Sequence, residues 1–158
     1  MAIHYFNTSI RNLAWRLRKF EEVLAKNLAK EMHANEDEII EMIQHQLYDK
    51  GINGAGVEIK SYMPYKPSTI RKKQKKGQPF DRVTLRDTGQ WYNSLVLVDD
   101  IEGFFITSTV AKNKYIKQKY GPKVVRLTNE NLSILLNKIR PVLKVKLEEY
   151  IKSGKRTF

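Results

Sequence analysis

Cysteine is absent from the sequence, which excludes thiolate metal sites, cysteine nucleophiles and a disulfide framework and fits a reducing compartment. Histidine is scarce: His4, His33 and His45 are separated by 29 and 12 residues, and none is expected to have a carboxylate or a second histidine at metal-binding helical spacing. Long apolar runs are missing. The best candidate, Ile134 to Leu147, is broken by Asn137, Lys138, Arg140, Lys144 and Lys146, far short of a bilayer span. Met1 to Phe20 carries Arg11, Arg16, Arg18 and Lys19 and no signal-like apolar stretch, so no export signal is expected. Gly51-Ile52-Asn53-Gly54-Ala55-Gly56 lacks the Gly-Lys-Ser/Thr ending of a phosphate cradle, and neither Ser68 nor Ser94 sits in a Gly-x-Ser-x-Gly elbow. The acidic neighbours Asp99-Asp100 and Glu148-Glu149 point in different directions. Catalysis, a metal and a cofactor are therefore not expected.

The 158 residues and 41% apolar content suit one domain with its own core. The expected fold class is α+β, a single domain over 1–152 followed by a flexible tail, 153–158. Ile10, Leu13, Leu17, Phe20, Leu24 and Leu28 recur at steps of three and four, predicting a long helix over Asn7–Met32. Asn35 and Glu38 resemble a capping box opening a second helix, Glu36–Tyr48. Val57, Ile59, Ser61 and Met63 alternate with polar residues as a half-buried strand would. Pro67 to Lys76 predicts a short, exposed or acid-facing helix. The runs Ser94–Val98 and Phe104–Thr109, joined by five residues, predict a hairpin in a small antiparallel sheet. Thr128 is expected to cap a long last helix, kinked near Lys138 by Pro141.

The formal charge of +12 is unevenly placed. Met1 to Lys50 nets −1, with seven basic and eight acidic residues. Lys60 to Arg86 nets +8: Lys60, Lys66, Arg71, Lys72, Lys73, Lys75, Lys76, Arg82 and Arg86 meet Asp81 alone. Lys112, Lys114, Lys117, Lys119, Lys123 and Arg126 add +6, while Asp87, Asp99, Asp100 and Glu102 make the intervening hairpin acidic. Such density is relieved by solvent, by an acidic protein face or by a polyanion that releases its counterions on contact. Tyr62, Tyr65, Trp91, Tyr92, Tyr115 and Tyr120 lie near the basic runs, either as core and interface residues or as platforms for nucleic-acid bases. No helix-turn-helix, zinc-finger or RNP pattern accompanies them.

Leu85-Arg86-Asp87-Thr88-Gly89 places a short acid and a hydroxyl before a glycine, which predicts a turn held by side-chain hydrogen bonds, with Trp91 and Leu95 re-entering apolar surroundings. Tyr65-x-Pro67-x-Thr69, a Lys-rich run with Gly77, and then Leu85-Arg86-Asp87-Thr88-Gly89-x-Trp91-x-x-Ser94-Leu95 resemble the tailed-bacteriophage virion-morphogenesis and tail-completion (head-tail joining) proteins of the Mu type. Tyr115 to Gly121, followed by Leu127-Thr128 and a closing helix, is similar to that family's later motif. Trp91 stands where the family usually has leucine, and the segment between Gly121 and Leu127 is shortened.

The resemblance implies a non-enzymatic α+β subunit of the virion neck or tail end. It would assemble as a homo-oligomeric ring, meet portal, connector or tail subunits, and have no membrane association. The residues offered as a partner- or DNA-facing basic patch are Arg71, Lys72, Lys73, Lys75, Lys76, Lys112, Lys114, Lys117 and Lys119. Leu85, Arg86, Asp87, Thr88, Gly89 and Trp91 are offered as the motif turn and a subunit interface. Acidic residues on the same chain (Glu36, Asp37, Glu38, Glu41; Asp99, Asp100, Glu102) supply the opposite sign that a head-to-tail contact needs. The alternative is a free module binding nucleic acid without sequence preference.

Overall fold

A computed structural model describes residues 2–100 and 103–152. Ile101, Glu102 and the expected tail, 153–158, lie outside the described residues. The architecture is α+β; the described residues form five α-helices, α1 (Ala2–Ala34), α2 (Glu36–His45), α3 (Pro67–Lys75), α4 (Lys112–Tyr120) and α5 (Asn129–Lys152), with one hairpin of β1 (Leu95–Asp100) and β2 (Gly103–Ser108). Short 3-10 turns occupy Ile59–Ser61, Tyr92–Ser94 and Pro122–Val125. The chain divides into two compact units, 35–136 and a smaller one made of 1–34 with 137–158.

In the larger unit, α2 presents Ile39 and Ile43 to the core, and Leu47 follows on a single π-helical turn, Gln46–Lys50, that ends at Gly51. Gly51 has φ 63, and a Cβ there would stand 2.8 Å from the Arg82 side chain, so both the turn and the close approach favour glycine. The hairpin is antiparallel, with Leu95 opposite Ser108 and Asp100 opposite Gly103. The strands therefore run closer to the turn than the five-residue link had suggested. Leu95 and Leu97 of β1 and Ile106 of β2 are buried with Ile116 of α4 and Leu135 of α5. The outer edge of β1 is occupied: the Leu97 amide donates to a Glu36 carboxylate oxygen at 2.8 Å, satisfying a group that would otherwise template further pairing.

Two local expectations are corrected. Val57 to Met63 is not a strand. Only an isolated bridge, Ile52 to Glu58, forms before the 3-10 turn at Ile59–Ser61. The Asn53 side chain accepts from the Ala55 and Val57 amides, closing a tight loop, and Val57 is exposed. Among the described residues no second strand lies alongside, and an unpaired strand cannot satisfy its backbone. The Asn35–Glu38 capping box does not form either. Asn35 has φ −112 and ψ 17 and makes no side-chain cap, while its carbonyl accepts from the Ile39 amide. Thr128 does cap α5, accepting from the Asn131 amide at 3.3 Å. That helix is long and kinked, with Pro141 inside it. Pro141 removes a backbone donor and crowds the preceding turn.

In the smaller unit, α1 carries a gradient of burial. Positions 10–18 are exposed wherever their side chains are described, whereas Phe20, Val23, Leu24, Asn27, Leu28 and Met32 are half-buried. Glu31 of α1 pairs with Lys146 of α5, and neither is fully exposed.

Candidate functional site

The motif residues converge on one node. Thr84 is fully buried, and its neighbours are held from every side. The Tyr65 hydroxyl accepts from the Thr84 and Leu85 amides at 3.0 and 3.2 Å. The Tyr92 hydroxyl donates to the Thr84 carbonyl, and desolvation in this position pushes that phenol far above the ordinary tyrosine range. Leu85 itself adopts φ 57, a left-handed conformation costly to any residue with a Cβ. Neighbouring hydrogen bonds fix this backbone.

Lys73 completes the node. Although it was counted as part of the basic patch, it is only 6% exposed. Its ammonium donates to the Arg86 carbonyl at 2.7 Å, to Thr84 Oγ1 at 3.2 Å and to Gln78 Oε1 at 3.3 Å. It also lies 5.1 Å from the Tyr65 ring centre, a cation–π distance. Lys73 is thus a structural pin and is removed from the partner-facing set. The reason is geometric: Ile70 and Lys73, three residues apart, lie on one side of α3, and Ile70 is half-buried. The expectation that this helix is exposed or faces something acidic fails at Lys73, which is buried against neutral oxygens.

Around the node lies the charged surface. Arg71, Lys72 and Lys75 of α3 and Lys76 just after it are exposed, as are Lys112, Lys114 and Lys119 of α4. Lys117 is half-buried and donates to Thr107 Oγ1 at 3.2 Å, fastening α4 to β2 together with Asn113. Asp87 pairs with Lys76. That hydrogen bond, with the fields of Lys76, Lys112 and Lys73, holds its carboxyl below the ordinary aspartate range against the desolvation that raises it. Lys76 of the first basic run and Lys112 of the second therefore act on the same aspartate. The turn is partly held as expected: the Gln90 amide donates to Thr88 Oγ1 at 3.4 Å and Gln78 Nε2 to the Asp87 carbonyl at 2.8 Å. Trp91 is buried with its indole N–H on Asn113 Oδ1. Trp91 is thus a core residue tying the turn to α4, as Tyr65 and Tyr92 tie it to the core, and none of the three is free to stack on a base. Arg86 and Asp87 remain exposed, with the Arg86 guanidinium 5.0 Å from the Tyr48 ring centre.

A shallow cleft of about 210 Å³ beside the node is lined by Glu41, Gln44, His45, Tyr48, Asp49, Arg86, Tyr92 and Asn93. His45 does have a carboxylate at helical spacing, contrary to expectation: it pairs with Asp49, and both are open to solvent. The pair has no nucleophile between it and a stabilising donor, the arrangement that acyl or phosphoryl transfer requires. Among the described residues no group of three potential ligands is placed to hold a metal. Every buried side-chain polar atom described also has a partner, so none is left aimed at a missing ligand.

Sequence reasoning missed Gln46. It is 2% exposed, donates to the Arg126 carbonyl at 3.0 Å and accepts from the Thr128 amide at 3.0 Å, securing the start of α5. Its place beside Ile39 and Ile43 on the core face of the helix was the available signal. No known protein family, curated protein or solved structure matches the chain.

Proposed function

We propose that this chain is a non-catalytic structural subunit of a tailed-bacteriophage virion, acting in the neck or tail-completion region and assembling there as a homo-oligomeric ring between portal and tail. One observation carries the reading. Acidic α2 (Glu36, Asp37, Glu38, Glu41) is fastened to β1 through Glu36, and basic α4 (Lys112, Lys114, Lys117, Lys119) to β2 through Asn113 and Lys117. Helices of opposite sign are thus mounted on different strands of one hairpin, the complementarity that a repeating head-to-tail contact needs. The buried node supports it too: the residues that carry the resemblance stiffen the platform presenting those charges.

The test is a charge swap. At low salt the purified chain should form a discrete oligomer by light scattering and negative-stain imaging. Lys112→Glu with Lys114→Glu should dissociate it, and adding Asp37→Lys with Glu41→Lys should restore it. A monomer at every ionic strength, both alone and mixed with portal and tail subunits, contradicts the proposal.

A second reading, binding of single-stranded nucleic acid, is favoured by Tyr115. It is 68% exposed and shares a helical stripe with Lys112 and Lys119, combining a stacking ring with cations. On this reading Tyr115→Ala lowers affinity by about 10-fold, and binding falls steeply as salt rises. No binding at about 50 mM salt removes it.

A further inference from the structure

The smaller unit carries a feature that the charged faces do not explain. Ile3, Phe6, Ile10, Leu13, Leu17, Phe20 and Leu24 follow one another at alternating steps of three and four, the a and d positions of three heptads and hence the signature of a helix that packs against another helix. Within α1 this stripe is used at one end only. From Phe20 onward its residues are half-buried, and α5 accompanies them: Lys146 pairs with Glu31, and Tyr150 lies within electrostatic reach of Lys19. Before that point the stripe is bare wherever its side chains are described. Ile10, Leu13 and Leu17 are each 56% exposed, although isoleucine and leucine at a and d positions are the residues such seams bury.

We infer that the first half of α1 is a self-association seam, paired antiparallel with the same segment of a second copy of this chain. A second copy fits because a knobs-into-holes seam needs a partner with the same 3-4 repeat, and an identical chain presents it equally uncovered. The flanking e and g positions through Ala14 are Ala2, Asn7, Ser9 and Ala14, so no charge there opposes close approach.

The antiparallel direction follows from two further points. Layering Ile10 on Leu13, Phe6 on Leu17 and Ile3 on the half-buried Phe20 of the second copy uses the repeat from Ile3 to Phe20, about 27 Å of helix, and sets the two α5 helices at opposite ends. It also places the cationic stretch Arg16–Lys19 beside His4–Asn7 of the second copy, which carries no formal charge. A parallel pair would stack Arg16–Lys19 on itself and bring both α5 helices to one place.

This contact is apolar and independent of the proposed ring contacts, and the two respond to salt in opposite senses. In about 1 M salt, where charge contacts are screened, the chain should sediment as a dimer of twice 18.5 kDa. Leu13→Glu with Leu17→Glu should raise the dimer Kd at least about 100-fold while leaving the circular dichroism of a folded chain, since both side chains are largely exposed. Because the protein has no cysteine, introduced thiols report geometry cleanly. Mild oxidation of a mixture of Ile10→Cys and Leu13→Cys chains should give the mixed covalent dimer, and Ile10→Cys alone should not. A wild-type monomer at about 100 µM in high salt, or an oligomer untouched by the two glutamates, overturns the seam. The second of those outcomes leaves the charge-based ring standing. Efficient cross-linking of Ile10→Cys to itself overturns the antiparallel arrangement.

Discussion

Two regions of this protein treat side chains in opposite ways. At the node around Thr84 a lysine is buried to 6% exposure with three hydrogen-bond acceptors around it, whereas on the first half of α1 two leucines and an isoleucine are left 56% exposed. Polarity alone predicts the reverse. Partners decide the outcome. Lys73 finds a carbonyl, a hydroxyl and an amide oxygen within its own unit, so its desolvation is compensated. Ile10, Leu13 and Leu17 lie on a stretch of α1 that is exposed wherever its side chains are described, and under the proposed self-association a second chain buries them. The node therefore reads as scaffold and the α1 stripe as interface.

The sharpest way to break this contrast is Lys73→Ala. It leaves the Arg86 carbonyl and Thr84 hydroxyl short of a charged donor and should lower stability by about 2–3 kcal/mol, read as a shift in urea midpoint. Leu17→Ala in dilute solution should change it by less than about 0.5 kcal/mol. If the two substitutions cost the same, the contrast is void. Next comes Tyr92→Phe, which strips the donor from the buried Thr84 carbonyl and should cost about 1–2 kcal/mol by the same measurement.

The smallest effect belongs to Asp87. Lys76 lowers its pKa in the folded state, so the stabilisation is present above the ordinary aspartate pKa of about 3.9 and disappears as pH falls through the lower folded value. The pair is more than half exposed, and screening limits it to about 0.5 kcal/mol. Asp87→Asn should thus melt slightly below wild type at neutral pH and together with it at about pH 2. A gap that widens on acidification would contradict the pairing.

Much of this arrangement was legible in the sequence where a repeat or a turn residue carried it. The three-four spacing marked α1, α2 and α5, the β-branched and aromatic runs marked the hairpin, and Thr128 marked the start of α5. What stayed hidden depends on residues far apart in the chain. Gln46 is buried because Arg126 and Thr128 meet it some eighty positions later, and Gly54 is needed because a Cβ there would stand 2.5 Å from the Arg126 side chain. Lys73 was misread for the same reason: a charge run looks solvated until the turn that accepts its hydrogen bonds is folded beside it. The strand expected at Val57–Met63 failed because alternation describes one strand, and a sheet needs two. The motif turn was legible as a turn, but its role as the centre of a hydrogen-bonded node was not.

Hydrogen exchange, followed by mass spectrometry across a range of protein concentrations, compares both regions in one experiment. The Thr84 and Leu85 amides should exchange only with global unfolding at every concentration, while those of residues 10–18 should exchange fast when dilute and slow progressively as the chain self-associates. A motif turn that exchanges as quickly as an open loop, or an α1 segment indifferent to concentration, would contradict the assignment of one region as scaffold and the other as interface.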